Sequence, residues 1–342
     1  MRFVLLCALL SGCAHETLID HWVVQELDTN AEFRDAFFLD ADRGWIVGGG
    51  YNIDGGIIGK TVDGGLTWSF RSGVVRPTPR RNPFRFNAVQ FLNDRHGLIA
   101  TDSGLLRTVD GGEHWHRTRG AGQRSWTLLL DMHFVDDRYG WAIGSNGIVR
   151  TVDGGESWEV PTRDGETGTR GDGTAIHFLD HERGWLVGKF GKIQSSDDGG
   201  ATWTPADASP LSGKPDLRAL YFADDVHGWA VGEYGTIVHT SDGGKSWRLQ
   251  DSGTPAYLTA VSFADTSVGW AVGYERSDGS STVLHTVDGG VTWTPQIRVE
   301  GEELNALFVI DSRNAWAVGD RVRRGTQKLL RFEPGAEEKS LD

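Results

Sequence analysis

Apolar residues recur along this chain in short alternating runs, each ending on an aromatic or branched residue placed seven positions before a second apolar strand segment. The pairs are Phe38 and Trp45, Phe91 and Leu98, Phe134 and Trp141, Phe178 and Trp185, Phe222 and Trp229, Phe263 and Trp270, and Val309 and Trp316. Acidic turn residues fill the gap, and the second segment reads Trp, small or apolar, then Gly in six of the seven copies. Alternation bounded by Asp, Gly and Ser predicts antiparallel strands joined by tight turns. A third run follows, as in Gly147 to Thr151, and then an Asp-Gly-Gly turn that opens a fourth strand on Trp. Four short strands repeating at roughly 45 residues predict a propeller blade, and seven copies predict a ring of seven.

The turn is a Thr/Ser-x-Asp-Gly-Gly-x-x-Trp segment, known as the Asp-box or bacterial neuraminidase repeat. Its aspartates are Asp63, Asp110, Asp153, Asp198, Asp242 and Asp288; its tryptophans are Trp68, Trp115, Trp158, Trp203, Trp247 and Trp293. These residues explain themselves structurally: the carboxylate accepts backbone N–H groups, the glycines permit positive φ, and the indole packs between sheets. Six boxes for seven blades leave the last blade without a fourth strand. The segment His21-Trp22-Val23-Val24-Gln25 has the pattern of the strands that follow the boxes, so it is expected to close the ring from the N-terminus. The predicted fold class is all-β: a single seven-bladed β-propeller with Asp-box turns, ring closed by the N-terminal strand, over residues 21–333, followed by a tail at 334–342.

Composition agrees with many strands and few helices, with 47 Gly, 14 Trp and 2 Met in 342 residues. The net charge of −13 argues against nucleic acid as a partner, since the average surface repels phosphate. Residues 1–12 carry an Arg, an apolar run and a Leu-Ser-Gly ending before Cys13, the form of a lipoprotein signal. Cys13 is the expected lipidation site, with residues 13–20 as a tether. Ala14 in place of Asp points to the outer membrane, on the periplasmic or surface face of a bacterial envelope. Cys7 is removed with the signal, so the mature chain has one cysteine and no internal disulfide.

The Gly-Trp-Ala-Val-Gly strands, the boxes led by Arg-Thr-Val-Asp-Gly-Gly at Arg107 and Arg150, and the N-terminal closing strand resemble the photosystem II assembly and stability factors of cyanobacteria and chloroplasts, over nearly the whole mature chain. The resemblance implies the propeller and the binding of a membrane-protein subunit through a basic face. It does not carry over client-binding residues one by one, and relatives in non-photosynthetic bacteria share the repeat without the photosynthetic client.

Basic residues concentrate in four successive connections between blades, which in a propeller emerge on one face. They are Arg76, Arg80, Arg81 and Arg85; Arg119 and Arg124 beside Trp126; Arg163 and Arg170; and Arg218 after Lys214. In an acidic chain such a sector selects an acidic protein surface or a membrane-protein client. The plain alternative is a set of solvated loops. A second series, Lys60, Arg107, Arg150, Ser195, His239 and His285, precedes the boxes and reads as a repeated packing position.

No cofactor or metal is expected: His114 and His116 share a strand face without a third ligand, and His133 and His177 occupy one repeat position. A glycosidase needs two carboxylates across a cleft, whereas Asp131, Asp164, Asp172 and Glu233 show no pairing by sequence. The reading is therefore a monomeric, non-catalytic binding or assembly scaffold, tethered to the membrane by its lipid alone. Glycan or peptidoglycan recognition is the alternative, for which surplus aromatics are required; only Trp126 was outside the tryptophan repeat.

Overall fold

The computed structural model describes residues 21–50, 55–74, 85–120, 128–163, 166–167, 171–211, 213, 215–321 and 327–333, with no side-chain description at 163, 166 and 167. It is a seven-bladed β-propeller, as the sequence predicts. Blade 1 comprises Glu32–Phe38, Gly44–Gly49, Ile57–Thr61 and Ser69–Ser72, hydrogen-bonded in that order; blades 2, 4, 5 and 6 repeat the four-stranded meander, and blade 3 has three of its strands, with an Arg150–Glu159 bridge where the fourth would pair. In blade 7, Glu302–Asp311, Asn314–Arg321 and Gln327–Glu333 are completed by His21–Leu27, which pairs antiparallel with Gln327–Glu333 from His21 opposite Glu333 to Leu27 opposite Gln327. The first strands touch one another in sequence around the ring, and the seventh returns to the first.

Two rings per blade boundary make the core. At five of the seven boundaries the second-strand tryptophan stacks on the phenylalanine of the next blade, as Trp45 does on Phe91 at 3.6 Å, Trp141 on Phe178 at 3.7 Å, Trp229 on Phe263 at 3.6 Å, and Trp316 on Phe38 at 3.6 Å across the closure. The box tryptophan meets the same phenylalanine edge-on, as Trp247 does Phe222 at 5.9 Å and 90°. Such pairs add about 0.5–1.5 kcal/mol each beyond their buried area.

Most second-strand indole nitrogens find a box carbonyl through the same repeat, whereas Trp45 Nε1 is buried without a hydrogen-bond partner. Trp141 donates to the Gly199 carbonyl of the next box at 2.9 Å, Trp185 to Gly243 at 3.0 Å, and Trp316 to Gly64 at 2.8 Å. Blade 7 has no box to receive Trp270. Gln296 takes its place: its Oε1 accepts from Trp270 at 3.2 Å and from Trp22 at 2.8 Å. Phe332 likewise fills the position that Val309 leaves empty, packing 5.2 Å from Trp270 and 5.5 Å from Trp22.

Each box holds itself and rests on its own blade. Asp242 accepts from Thr240 Oγ1 at 2.8 Å, from the Ser246 amide at 3.0 Å and from Ser246 Oγ at 2.6 Å. The Gly243 amide donates to the Val226 carbonyl in the turn between first and second strands. Boxes and acidic turns therefore share one face of the ring. The turns between second and third strands meet the inter-blade connections on the opposite face, where the Gly191 amide donates to Pro215 O and the Glu233 amide to Asp216 O.

First-strand side chains staple the blades together. Asp35 Oδ2 accepts the Val89 amide at 2.7 Å, Asp131 Oδ2 the Ile176 amide at 2.9 Å, and Thr174 donates to the Leu217 carbonyl at 2.6 Å. Burial pushes the Asp35 carboxyl up to about 8, against the lowering effect of the Val89 bond and with a further push from the Asp131 charge. A group titrating above its unfolded value contributes stability that is complete below about pH 4 and is lost as pH rises toward 8. Asp35→Asn keeps an acceptor for Val89 without a charge. It is expected to gain stability over the native chain progressively from pH 4 to 8 in parallel thermal melts; a difference that stays constant with pH contradicts this origin.

Candidate functional site

The face that carries the inter-blade connections combines cationic and aromatic side chains raised on short turns. On the opposite face, the acidic turns are consumed by their own loops: Asp40, Asp180 and Asp224 each accept two backbone amides two and three residues on. Against the opposing effect of burial, those hydrogen bonds hold Asp180 and Asp224 below the usual carboxylate range, and Arg183 and His227 pair with them.

On the connection face Arg85 and Arg34 flank one carboxylate: Glu32 Oε2 lies 4.0 Å from Arg85 and 3.8 Å from Arg34. Arg218 donates to Glu233 Oε1 at 2.9 Å. Arg119 is exposed on a two-residue strand, Arg119–Gly120, that pairs in parallel with Ser157–Trp158. Arg163 pairs with Glu166 through a short antiparallel ladder. Arg76, Arg80, Arg81, Arg124, Trp126, Arg170 and Lys214 lie outside the described residues, as does Cys13. Arg85 and Arg218, at the ends of their connections, thus already have carboxylate partners that sequence reasoning did not assign.

The series before the boxes is absorbed by packing. Lys60 donates to the Gly111 carbonyl at 3.3 Å and Arg107 Nε to Gly154 O at 3.0 Å, each reaching the box of the next blade. Arg150 pairs with Glu159 at 2.7 Å, and His239 and His285 stack on Trp229 and Trp270. His133 and His177 stack at 4.2 Å; burial pushes His133 down to about 4 and His177 well below its usual value, so both rings are neutral. The Phe178 amide donates to His133 Nδ1, which places the His133 proton on Nε2.

The scattered acids have local partners too. Asp131 accepts backbone amides, Asp172 lies 3.7 Å from Lys192 Nζ, and Glu233 holds Arg218; Asp164 is outside the described residues. Among the described residues no group of three His, Cys, Asp or Glu side chains is placed to hold a metal ion. No described helix is long and apolar enough to cross a membrane.

Two exposed aromatics went unnoticed in the sequence. Phe190 and Tyr234 top the turns between second and third strands of blades 4 and 5, at 70% and 68% exposure, each with φ of 59°. Their signal was a shared aromatic-Gly pair, Phe190-Gly191 and Tyr234-Gly235, at one repeat position. Tyr257 stands beside Tyr234 and Tyr274 beside Tyr257, and the Arg276 guanidinium lies over the Tyr257 ring at 4.1 Å.

With this geometry in hand, the chain was compared with known proteins. It matches the family model described as photosynthesis system II assembly factor YCF48 over residues 14–124, 123–219, 166–255 and 216–299. Photosystem II assembly lipoprotein Ycf48 of Synechococcus sp. (strain CC9902) is 33% identical over 113 residues, covering 32% of this chain and 31% of that relative. The aligned part is thus about a third of the relative's length. Two solved structures share the fold: YCF48 bound to D1 peptide, with TM-score 0.70, 21% identity and 91% and 96% of the two chains covered, and YCF48 from Cyanidioschyzon merolae, with 0.69, 20%, and 92% and 98%. The WD40 repeats of RRP9 superpose as well, at TM-score 0.70 with 11% identity over 94% and 99% of the chains.

Proposed function

Because the chain belongs to the photosynthesis system II assembly factor YCF48 family, we propose that it is a non-catalytic assembly scaffold that holds a membrane-protein client through its connection face. The observation that carries this reading is the topology: boxes and acidic turns share one face, and the connections between blades, into which the sequence places its run of arginines, belong to the other. Arginines gathered in neighbouring connections give a client with acidic groups one favoured face. The names of its relatives support the role, since one is called an assembly lipoprotein and another is bound to a D1 peptide. The client of this chain is an acidic segment of a membrane protein, of photosynthetic or other origin.

The mechanism is complementarity without bond making. Arg76, Arg80, Arg81, Arg124 and Arg170 supply charge, while Arg85 and Arg218 are already paired with Glu32 and Glu233. Arg119 and Arg163 belong to the same sector, with Trp126 as an aromatic anchor. Lipidation of Cys13 tethers the monomeric ring to the envelope, in the outer membrane, and the assignment as lipoprotein agrees with the name of the Synechococcus relative.

Affinity capture from native envelopes tests this reading with a folded Arg80→Glu, Arg81→Glu, Arg124→Glu, Arg170→Glu variant. Native protein is expected to recover a specific membrane protein, with recovery falling as salt is raised. The variant is expected to lose at least nine-tenths of it. Equal recovery by both chains removes the basic sector from the mechanism.

A further inference from the structure

Phe190 and Tyr234 adopt a conformation that costs a non-glycine residue about 1–3 kcal/mol, yet neither ring is buried in return. The corresponding turns of blades 2 and 3 are one residue shorter and place only a glycine, Gly104 or Gly147, at positive φ. Their own segment is fixed, because the Phe190 amide donates to Asp216 Oδ1 at 2.9 Å and the Gly191 and Glu233 amides grip the carbonyls of Pro215 and Asp216. The two aromatic turns thus clamp the connection between blades 4 and 5 from both sides.

On that connection lies a pocket of about 260 Å³, lined by Leu211, Gly213, Pro215, Tyr234, Thr236 and Leu249. It is smaller than the roughly 300–1,000 Å³ of small-molecule sites, so its volume suits a single side chain. Its lining is mainly apolar, with half of Leu249 exposed at the rim. From Tyr234 the surface continues to Tyr257 at 5.5 Å and on to Arg276, whose guanidinium covers that ring at 4.1 Å and bonds to Tyr274. Among the described residues no carboxylate lies within ion-pair distance of Arg276. The two ring contacts of Tyr257 place the Arg276 guanidinium within about 10 Å of the Tyr234 ring, no more than the reach of about three extended residues.

We propose that this pocket is an anchor site for an extended peptide, taking one aliphatic or aromatic side chain between Leu211, Pro215, Tyr234 and Leu249 while an acidic residue about three positions away meets Arg276. The site lies on blades 4 to 6, beyond most of the basic sector. It rests on the client-binding reading and gives that client a second, apolar determinant. Preformed aromatic turns reduce the ordering cost of such a contact, and an aromatic-stacked arginine is oriented for a carboxylate.

The test uses fluorescein-labelled twelve-residue peptides of Gly, Ser and Glu carrying one Leu or Phe, each paired with an Ala counterpart, read by anisotropy on the full chain. The apolar residue is expected to raise affinity at least tenfold. Tyr234→Ala and Leu249→Glu, both at exposed positions and checked by melting, should abolish that factor. Arg276→Glu should abolish the advantage of a Glu placed three residues from the anchor. Equal affinity for Leu and Ala peptides, absence of peptide binding, or quenching of the tyrosines by chitooligosaccharides in place of peptides overturns the anchor. If the four-arginine variant still loses its client while the peptides show no preference, only the anchor fails; if the client is retained as well, both readings fail.

Discussion

Replacing Trp22 by alanine is expected to lower stability by about 3–5 kcal/mol, the range for removing a buried tryptophan. Trp22 is 5% exposed although it lies on an edge strand, and it occupies the one boundary where the chain's two ends meet. Its ring packs on Phe332, and its Nε1 occupies the Gln296 oxygen that Trp270 shares. Removing it opens a cavity between blades 6 and 7 and loosens the ladder that makes the ring closed. At about 2 °C per kcal/mol the midpoint falls by roughly 6–10 °C. Val24→Ala, on the same strand but 39% exposed, is the matched control and should shift stability by less than about 0.5 kcal/mol. Equal melting of Trp22→Ala and Val24→Ala shows that the N-terminal strand is not part of the cooperative unit.

The second large effect is expected at Gly232. The first strand of blade 5 bulges between Leu217 and Ala219, and this brings the Asp216 carbonyl over the second strand. A Cβ added at Gly232 would sit 2.2 Å from that oxygen and 2.9 Å from the Leu217 Cα. Both neighbours are backbone, so neither can turn aside. Gly232→Ala should cost about 1–3 kcal/mol or more, as overpacking does, with the loss concentrated in unfolding midpoint. Val62→Ala, at an exposed turn position, should be near neutral. The same approach recurs at Gly48, Gly188 and Gly319, where the carbonyls of Glu32, Asp172 and Glu303 lie within 1.8–2.1 Å of the added carbon. A melt of Gly232→Ala within about 0.5 kcal/mol of native shows that the bulge relaxes freely.

The fold was legible because strand phase, turn chemistry and repeat length all agree, and the missing seventh box pointed to the N-terminal strand. The Trp-x-apolar-Gly segment was legible as a strand but its glycine was not, since the bulge that demands it lies on a different strand. Gln296 could not be anticipated: it matters only because blade 7 lacks a box carbonyl for Trp270. Asp131 reads as a loose acid in sequence and nothing there singles out Asp35; their bonds go to amides 45 and 54 residues away, on the next blade. The candidate face was less legible than the core. Arg85 and Arg218 were counted as open charge, but Glu32 and Glu233 lie beside them through ring packing and strand register. Phe190 and Tyr234 are not legible as surface aromatics from sequence, because their exposure depends on a backbone turn that lifts them out of the sheet.

The central claim is that the connection face holds a client and the Asp-box face does not. Cross-linking with residue-level mapping, applied to the complex recovered from native envelopes, tests it most directly. Cross-links are expected from the connections between blades 1 to 5, including those around Arg85 and Arg218, and few from the six box turns. Cross-links concentrated at the boxes and acidic turns would contradict it.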